Sequence, residues 1–192
     1  IGYDNVFDYS LGNPSVPVPE EFTECMIEML KNSDPCSLHG YSPSLGIPSV
    51  RAAIAASLNE RFGMNYGPEH IFMASGAAGA LAHAYRAVTK PGDEILTFAP
   101  YFPEYNPYVN LTGAVLKVVP PDTESFQINF DAFEEMLGEK VMAVLINSPN
   151  NPSGIVYSEE TILRLADILR KKEQEYGHDI FIISDEPYRE IV

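Results

Sequence analysis

The stretch VMAVLINSPNNPSG, residues 141–154, decides the architecture. Residues 141–146 are apolar without a break. A strand with one wet face alternates apolar and polar side chains, so an unbroken run is expected for a strand covered on both faces, as in a mainly parallel sheet. Residues 147–154 then end the run with two prolines and a glycine, which hold a polar loop at the sheet edge.

Working outward, residues 71–74, 94–98, 114–119 and 180–184 read as further strands, the last of them also buried. Between them lie helical patterns. Residues 77–88 are Ala-rich, residues 130–137 are amphipathic, and Ser158 is placed to cap a helix whose face includes Ile162, Leu165, Ala166 and Leu169. Val50, Ile54, Leu58 and Phe62 recur every fourth residue, which is a helix stripe. Strand and helix in alternation predict a three-layer α/β/α domain with a mainly parallel sheet over residues 48–192. Residues 1–47 read as an N-terminal arm, a helix from Glu20 carrying Phe22, Met26, Met29 and Leu30 on one face, and a linker rich in Pro, Ser and Gly.

The composition narrows the partners. The chain has 192 residues, 45% of them apolar, and a net charge of −15. Nucleic acids and anionic membranes attract basic surfaces, so neither is an expected partner. No apolar run approaches the roughly 18 residues of a membrane span. Cys25 and Cys36 match no zinc or redox spacing, and His39, His70, His83 and His178 are scattered, so no metal site is expected. Two cysteines do not make a disulfide framework, which makes a reducing cytoplasm the expected compartment. The chain starts at Ile1 and stops at Val192 just after a strand, and neither end reads as a natural terminus.

In parallel sheets, ligands sit beyond the carboxyl ends of the strands. Four such ends carry chemistry here. After residues 71–74 come Ser75, Gly76, Ala77, Ala78 and Gly79, then a helix, a turn whose free N–H groups favour an anion such as phosphate. Taken alone, it reads more often as a tight strand-to-helix turn with no ligand, because it is neither a G-x-G-x-x-G nor a Walker sequence. After residues 94–98 come Pro100, Tyr101, Phe102 and Tyr105, where an aromatic can stack on a planar ring, although core packing is the better expectation for Tyr105 and Tyr108. After residues 141–146, Asn151 can offer an amide N–H to a phenolate-type oxygen, or simply serve a polar turn. After residues 180–184, the Asp185 carboxylate needs a partner, either backbone amides or a protonated ring nitrogen, and Tyr188 lies close behind it in sequence. Singly, each has an ordinary structural explanation. Together they are the contacts required by a pyridine ring bearing a phosphate arm and a phenolic oxygen.

With those residues in place, the chain resembles a class I/II aminotransferase of the fold type I pyridoxal-phosphate (PLP) enzymes, over nearly its whole length. Tyr41, Gly46 and Arg51 resemble the family's Y-x4-G-x4-R segment; Ser75-Gly76-Ala77 with Ala80-Leu81 resembles its phosphate turn; Pro91-Gly92-Asp93-Glu94 resembles P-G-D-E. Residues 147–154 resemble N-x-P-x-N-P-T-G with Ser153 in place of Thr, and residues 184–188 resemble S-D-E-x-Y. The resemblance implies pyridoxal 5′-phosphate held at its phosphate by the backbone of Gly76, Ala77 and Ala78. Phe102 would stack on the ring, Asn151 and Tyr188 would bond its oxygen, and Asp185 would pair with its nitrogen. Tyr41 would reach the phosphate in the other subunit of a homodimer. Gly12, with Phe102 and Asn151, would lie near the substrate.

Part of the family pattern is not in this chain. The Schiff-base lysine is expected several tens of residues after S-D-E-x-Y, and Lys31, Lys90, Lys117, Lys140, Lys171 and Lys172 do not occupy such a position. The arginine for the substrate's carboxylate is likewise expected in a further domain, and neither Arg51 nor Arg189 takes that role. The resemblance implies an enzyme moving an amino group between an amino acid and a 2-oxo acid. The alternatives on the same scaffold are a carbon–sulfur β-lyase and a non-catalytic ligand-sensing protein.

Overall fold

In the computed structural model, which describes residues 5–7 and 16–191, the apolar run at 141–146 lies within a central strand. The chain divides after Ile71 into two compact units. The second carries a sheet of β1 (Glu94–Phe98), β2 (Val115–Val119), β3 (Val141–Asn147) and β4 (Phe181–Asp185). The order is β2-β1-β3-β4, and every pair is parallel.

Period-two alternation sorts the side chains of these strands to two faces. Leu96, Phe98, Val144 and Ile146 pack with Phe130 and Phe133 of α6 (Phe130–Met136) and Leu165 and Leu169 of α7 (Glu159–Tyr176). Ile95, Ala143 and Leu145 pack with Leu81 and Tyr85 of α4 (Gly76–Val88) and Tyr105 and Val109 of α5 (Tyr105–Asn110). Helices on both faces make the three-layer α/β/α arrangement expected from the alternation of elements. Ser158 caps α7 as its position suggested, its Oγ accepting from the Thr161 N–H at 3.1 Å.

Two strand expectations need correction. Residues 71–74 form no strand, and among the described residues no strand pairs with them. An apolar run becomes a strand only where a neighbour offers a ladder, and Phe72 and Met73 are exposed. β4 is in place but not buried. Among the described residues it forms the sheet edge, and Phe181 and Ile182 are exposed.

The first unit, described by itself, holds α1 (Glu20–Asn32), α2 (Pro35–His39) and α3 (Pro48–Phe62). The Asp34 carboxylate caps α2, accepting from the Ser37 N–H at 2.7 Å. α3 ends at Gly63, whose φ of 63° is open to glycine without strain. The apolar stripes read from the sequence lie on helices, but α1 buries no residue and α3 buries only Ala55. Arg51 Nε donates to the Ile71 carbonyl at 2.8 Å.

Candidate active site

Strand order places the site. β1 runs on to β2 on one side, while its other neighbour is β3, so the connections diverge between β1 and β3. Such a switch leaves a crevice at the carboxyl ends of the strands. A cavity of about 150 Å³ lies there, lined among others by Ala77, Phe102, Asn151, Asp185 and Tyr188. These come from the start of α4 and from the segments after β1, β3 and β4. The fold therefore gathers residues spread over more than half of the chain, as the four strand ends suggested.

The turn before α4 is open. Gly76 has φ 73°, and a Cβ built there would meet nothing within 4 Å. Ser75 at the N-cap makes no side-chain capping bond, so its side chain does not occupy the helix's first N–H groups. Ser75, Gly76, Ala77 and Ala78 are all exposed. Small side chains, free donors and the positive end of the helix dipole suit an anion.

The loop after β3 is held from within. Asn147 is buried; its Nδ2 donates to the Asp185 carbonyl at 2.8 Å and its Oδ1 accepts from the Asn151 N–H at 2.6 Å. Asn150, also buried, donates to the Pro100 carbonyl at 3.2 Å and accepts from both the N–H and the hydroxyl of Ser153. With its backbone fixed, Asn151 directs Nδ2 to the Tyr188 hydroxyl at 3.4 Å. The pair lies beside Asp185 in the same cavity.

Asp185 is half-buried, and the Tyr105 hydroxyl donates to its Oδ2 at 2.6 Å. Tyr105 is 1% exposed and lies edge-on to Phe102, ring centroids 5.6 Å apart. Burial first, then the hydrogen bond and charge of Asp185, push the Tyr105 phenol far above the usual tyrosine range, so it stays protonated as a donor. The packing expected for Tyr105 is present, but its hydroxyl also has a hydrogen-bond partner, Asp185, that sequence reasoning missed. Asn147 and Asn150 were likewise read only as part of a turn. The available signal was that both are amides abutting an apolar run, where a buried polar side chain must find partners.

Tyr41 belongs to the first unit, where its side chain is fully exposed. Gly12 lies outside the described residues. Of the lysines, Lys90 and Lys140 precede β1 and β3, at the amino ends of the strands and away from the cavity.

Known proteins with similar chains point the same way. The family described as aminotransferase class I and II matches residues 4–192. The chain is 33% identical to an aspartate aminotransferase of Thermotoga maritima, over 98% of this chain and 48% of that protein. It is 34% identical to a probable aspartate/prephenate aminotransferase of Aquifex aeolicus, over 98% of this chain and 45% of that one. Among solved structures, an aminotransferase from Eubacterium rectale matches with a TM-score of 0.94 and 51% identity, covering 98% of this chain and 48% of that chain. The chain thus spans about half the length of the relatives it matches. It belongs to the class I and II aminotransferase family, whose members are pyridoxal-phosphate enzymes.

Proposed function

We propose that the full-length protein is an aminotransferase moving an amino group between an amino acid and a 2-oxo acid, and that residues 72–191 hold its cofactor. The observation that carries this reading is the cavity floor. A carboxylate with one oxygen held by a neutral phenol stands beside an amide–phenol pair, close to an uncapped helix start.

The residues fit PLP. The N–H groups of Gly76, Ala77 and Ala78 would take the phosphate, since nothing but small side chains lies in the way. Phe102, fixed edge-on by Tyr105, would stack on the ring. Asn151 and Tyr188 would bond the ring oxygen, and Asp185 would keep the ring nitrogen protonated by offering it a negative partner. When bound, the protonated cofactor supplies an electron sink for chemistry at the substrate's α-carbon.

Further parts of the reading rest on the family resemblance. Gly12, Phe102 and Asn151 would border the substrate, and Tyr41 would serve the phosphate site of a second copy in a homodimer. A cytoplasmic location is supported by two exposed, free cysteines. Among the described residues, no helix is long and apolar enough to cross a membrane. The relatives named above are aminotransferases, which favours amino transfer over the lyase and sensor alternatives.

The test is Asp185→Asn in the full-length protein. The variant is expected to fold and take up PLP, while amino transfer falls by roughly two or more orders of magnitude, the loss of a few kcal/mol of transition-state stabilisation. Near-normal turnover would remove Asp185 from this role.

A further inference from the structure

Asp185 stands at the last position of an edge strand, where a lone carboxylate would rotate freely about its two-fold χ2. Here it does not stand alone. The 2.6 Å contact from the Tyr105 hydroxyl is its side chain's one hydrogen bond among the described residues, and its length is in the range of about 2.5–2.7 Å typical of O–H donors on charged oxygens. The bond joins residues 80 apart in sequence, from the first residue of α5 to the end of β4.

We propose that Tyr105 is a positioning residue for Asp185: its hydroxyl pins Oδ2 and leaves Oδ1 as the oxygen available to the cofactor's ring nitrogen. The inference rests on the cofactor assignment proposed above. Three features support it. The donor is neutral, so it orients the carboxylate without cancelling the charge that a protonated ring nitrogen needs. The same ring backs Phe102, so one buried residue organises the carboxylate and the stacking aromatic together. A second tyrosine adds to the cluster: Tyr85 of α4 is wholly buried, and its hydroxyl has no partner among the described residues. Burial chiefly, and the Asp185 charge next, push the Tyr85 phenol upward, so this hydroxyl also remains neutral within electrostatic reach of the carboxylate.

Tyr105→Phe isolates the hydroxyl, because it keeps the edge-on packing against Phe102. The measurement is equilibrium binding of PLP and of its 1-deaza analogue, in which C–H replaces the ring nitrogen, to the full-length apoprotein and to this variant. The wild type is expected to prefer PLP by roughly tenfold or more, the scale of one hydrogen bond to a charged group. In Tyr105→Phe that preference should shrink to within about threefold, with the affinity for the deaza analogue nearly unchanged. Tyr105→His restores an N–H donor and should recover part of the preference. A Phe variant with the wild-type preference overturns the inference while leaving the cofactor reading standing. So does a Phe variant that weakens both ligands alike, a His variant no better than Phe, or a Phe variant that fails to fold, since the hydroxyl would then be structural. A wild type that does not distinguish the two ligands overturns the Asp185 assignment itself, and the inference with it.

Discussion

The Asn147 side chain donates to the main-chain carbonyl of Asp185 at 2.8 Å, and the two residues are also register partners at the ends of β3 and β4. A side chain thus continues the sheet's hydrogen bonding one step past the ladder. The same amide receives the Asn151 N–H on its other side. The carboxylate-bearing strand and the amide-bearing loop are therefore held at a common separation by one buried residue.

Asn147→Ala would leave a backbone carbonyl and a backbone N–H without that partner. Each orphaned group costs about 1–3 kcal/mol where water cannot replace the bond, so a loss of about 2 kcal/mol or more is expected. Urea unfolding should show a lower midpoint with an unchanged slope. PLP affinity should fall in parallel as Asn151 and Asp185 lose their spacing. A midpoint within experimental error of the wild type would show that the ladder alone holds these strand ends.

The open turn at residues 76–78 is expected to take the phosphate. In crystals soaked with PLP or sulfate, density should appear beside these residues. Ala77→Asp adds a negative charge to the cavity lining and should weaken PLP binding at least about tenfold, since like charges a few ångströms apart repel by more than 1.4 kcal/mol at intermediate dielectric. Unaltered affinity, or anion density only at other surfaces, would place the phosphate elsewhere.

Alkaline pH should destabilise the fold through its buried phenols. Burial raises Tyr105 and Tyr85 far above the usual range and pushes Tyr157 up to about 12. Unfolded tyrosines ionise near about pH 10, so above that point the unfolded chain has released protons that the folded chain retains. The stabilisation is complete below about pH 10 and is lost as pH rises further. The urea midpoint should decline between about pH 10 and 12, and Tyr105→Phe should make the decline shallower. A midpoint that rises over this window would contradict the burial of these hydroxyls.

The isolated polypeptide of residues 1–192 should not form a specific covalent cofactor adduct. Lys117 Nζ is engaged by the Glu94 carboxylate at 2.8 Å. Lys172 Nζ lies 2.8 Å from Glu175, and that hydrogen bond pushes its pKa up, which makes it a poor nucleophile. Among the described residues, no lysine lines the cavity that contains Asp185. Mixing the polypeptide with PLP, reducing with borohydride and mapping peptides should yield scattered, substoichiometric labelling. One stoichiometric pyridoxyl-lysine with measurable amino transfer would refute this.

The sequence by itself determined the element types, the parallel sheet and the strand ends that carry chemistry. These are local properties. Apolar runs, four-residue stripes and Ser158 as a cap are legible because each depends on residues a few positions apart. The resemblance placed Asp185, Asn151, Tyr188 and Phe102 in one pattern, and the fold brings them to one cavity. Only the tertiary structure decided which strands are neighbours, and much follows from that. Residues 71–74 looked like a strand but find no ladder among the described residues, and β4 looked buried but forms an edge. Tyr105 looked like core and is core, yet its hydroxyl meets a carboxylate 80 residues away. No periodicity encodes such a contact. It exists because β3 lies between β1 and β4 while α5 packs across one face of the sheet, and hydrogen bonds form between groups that packing has already brought together.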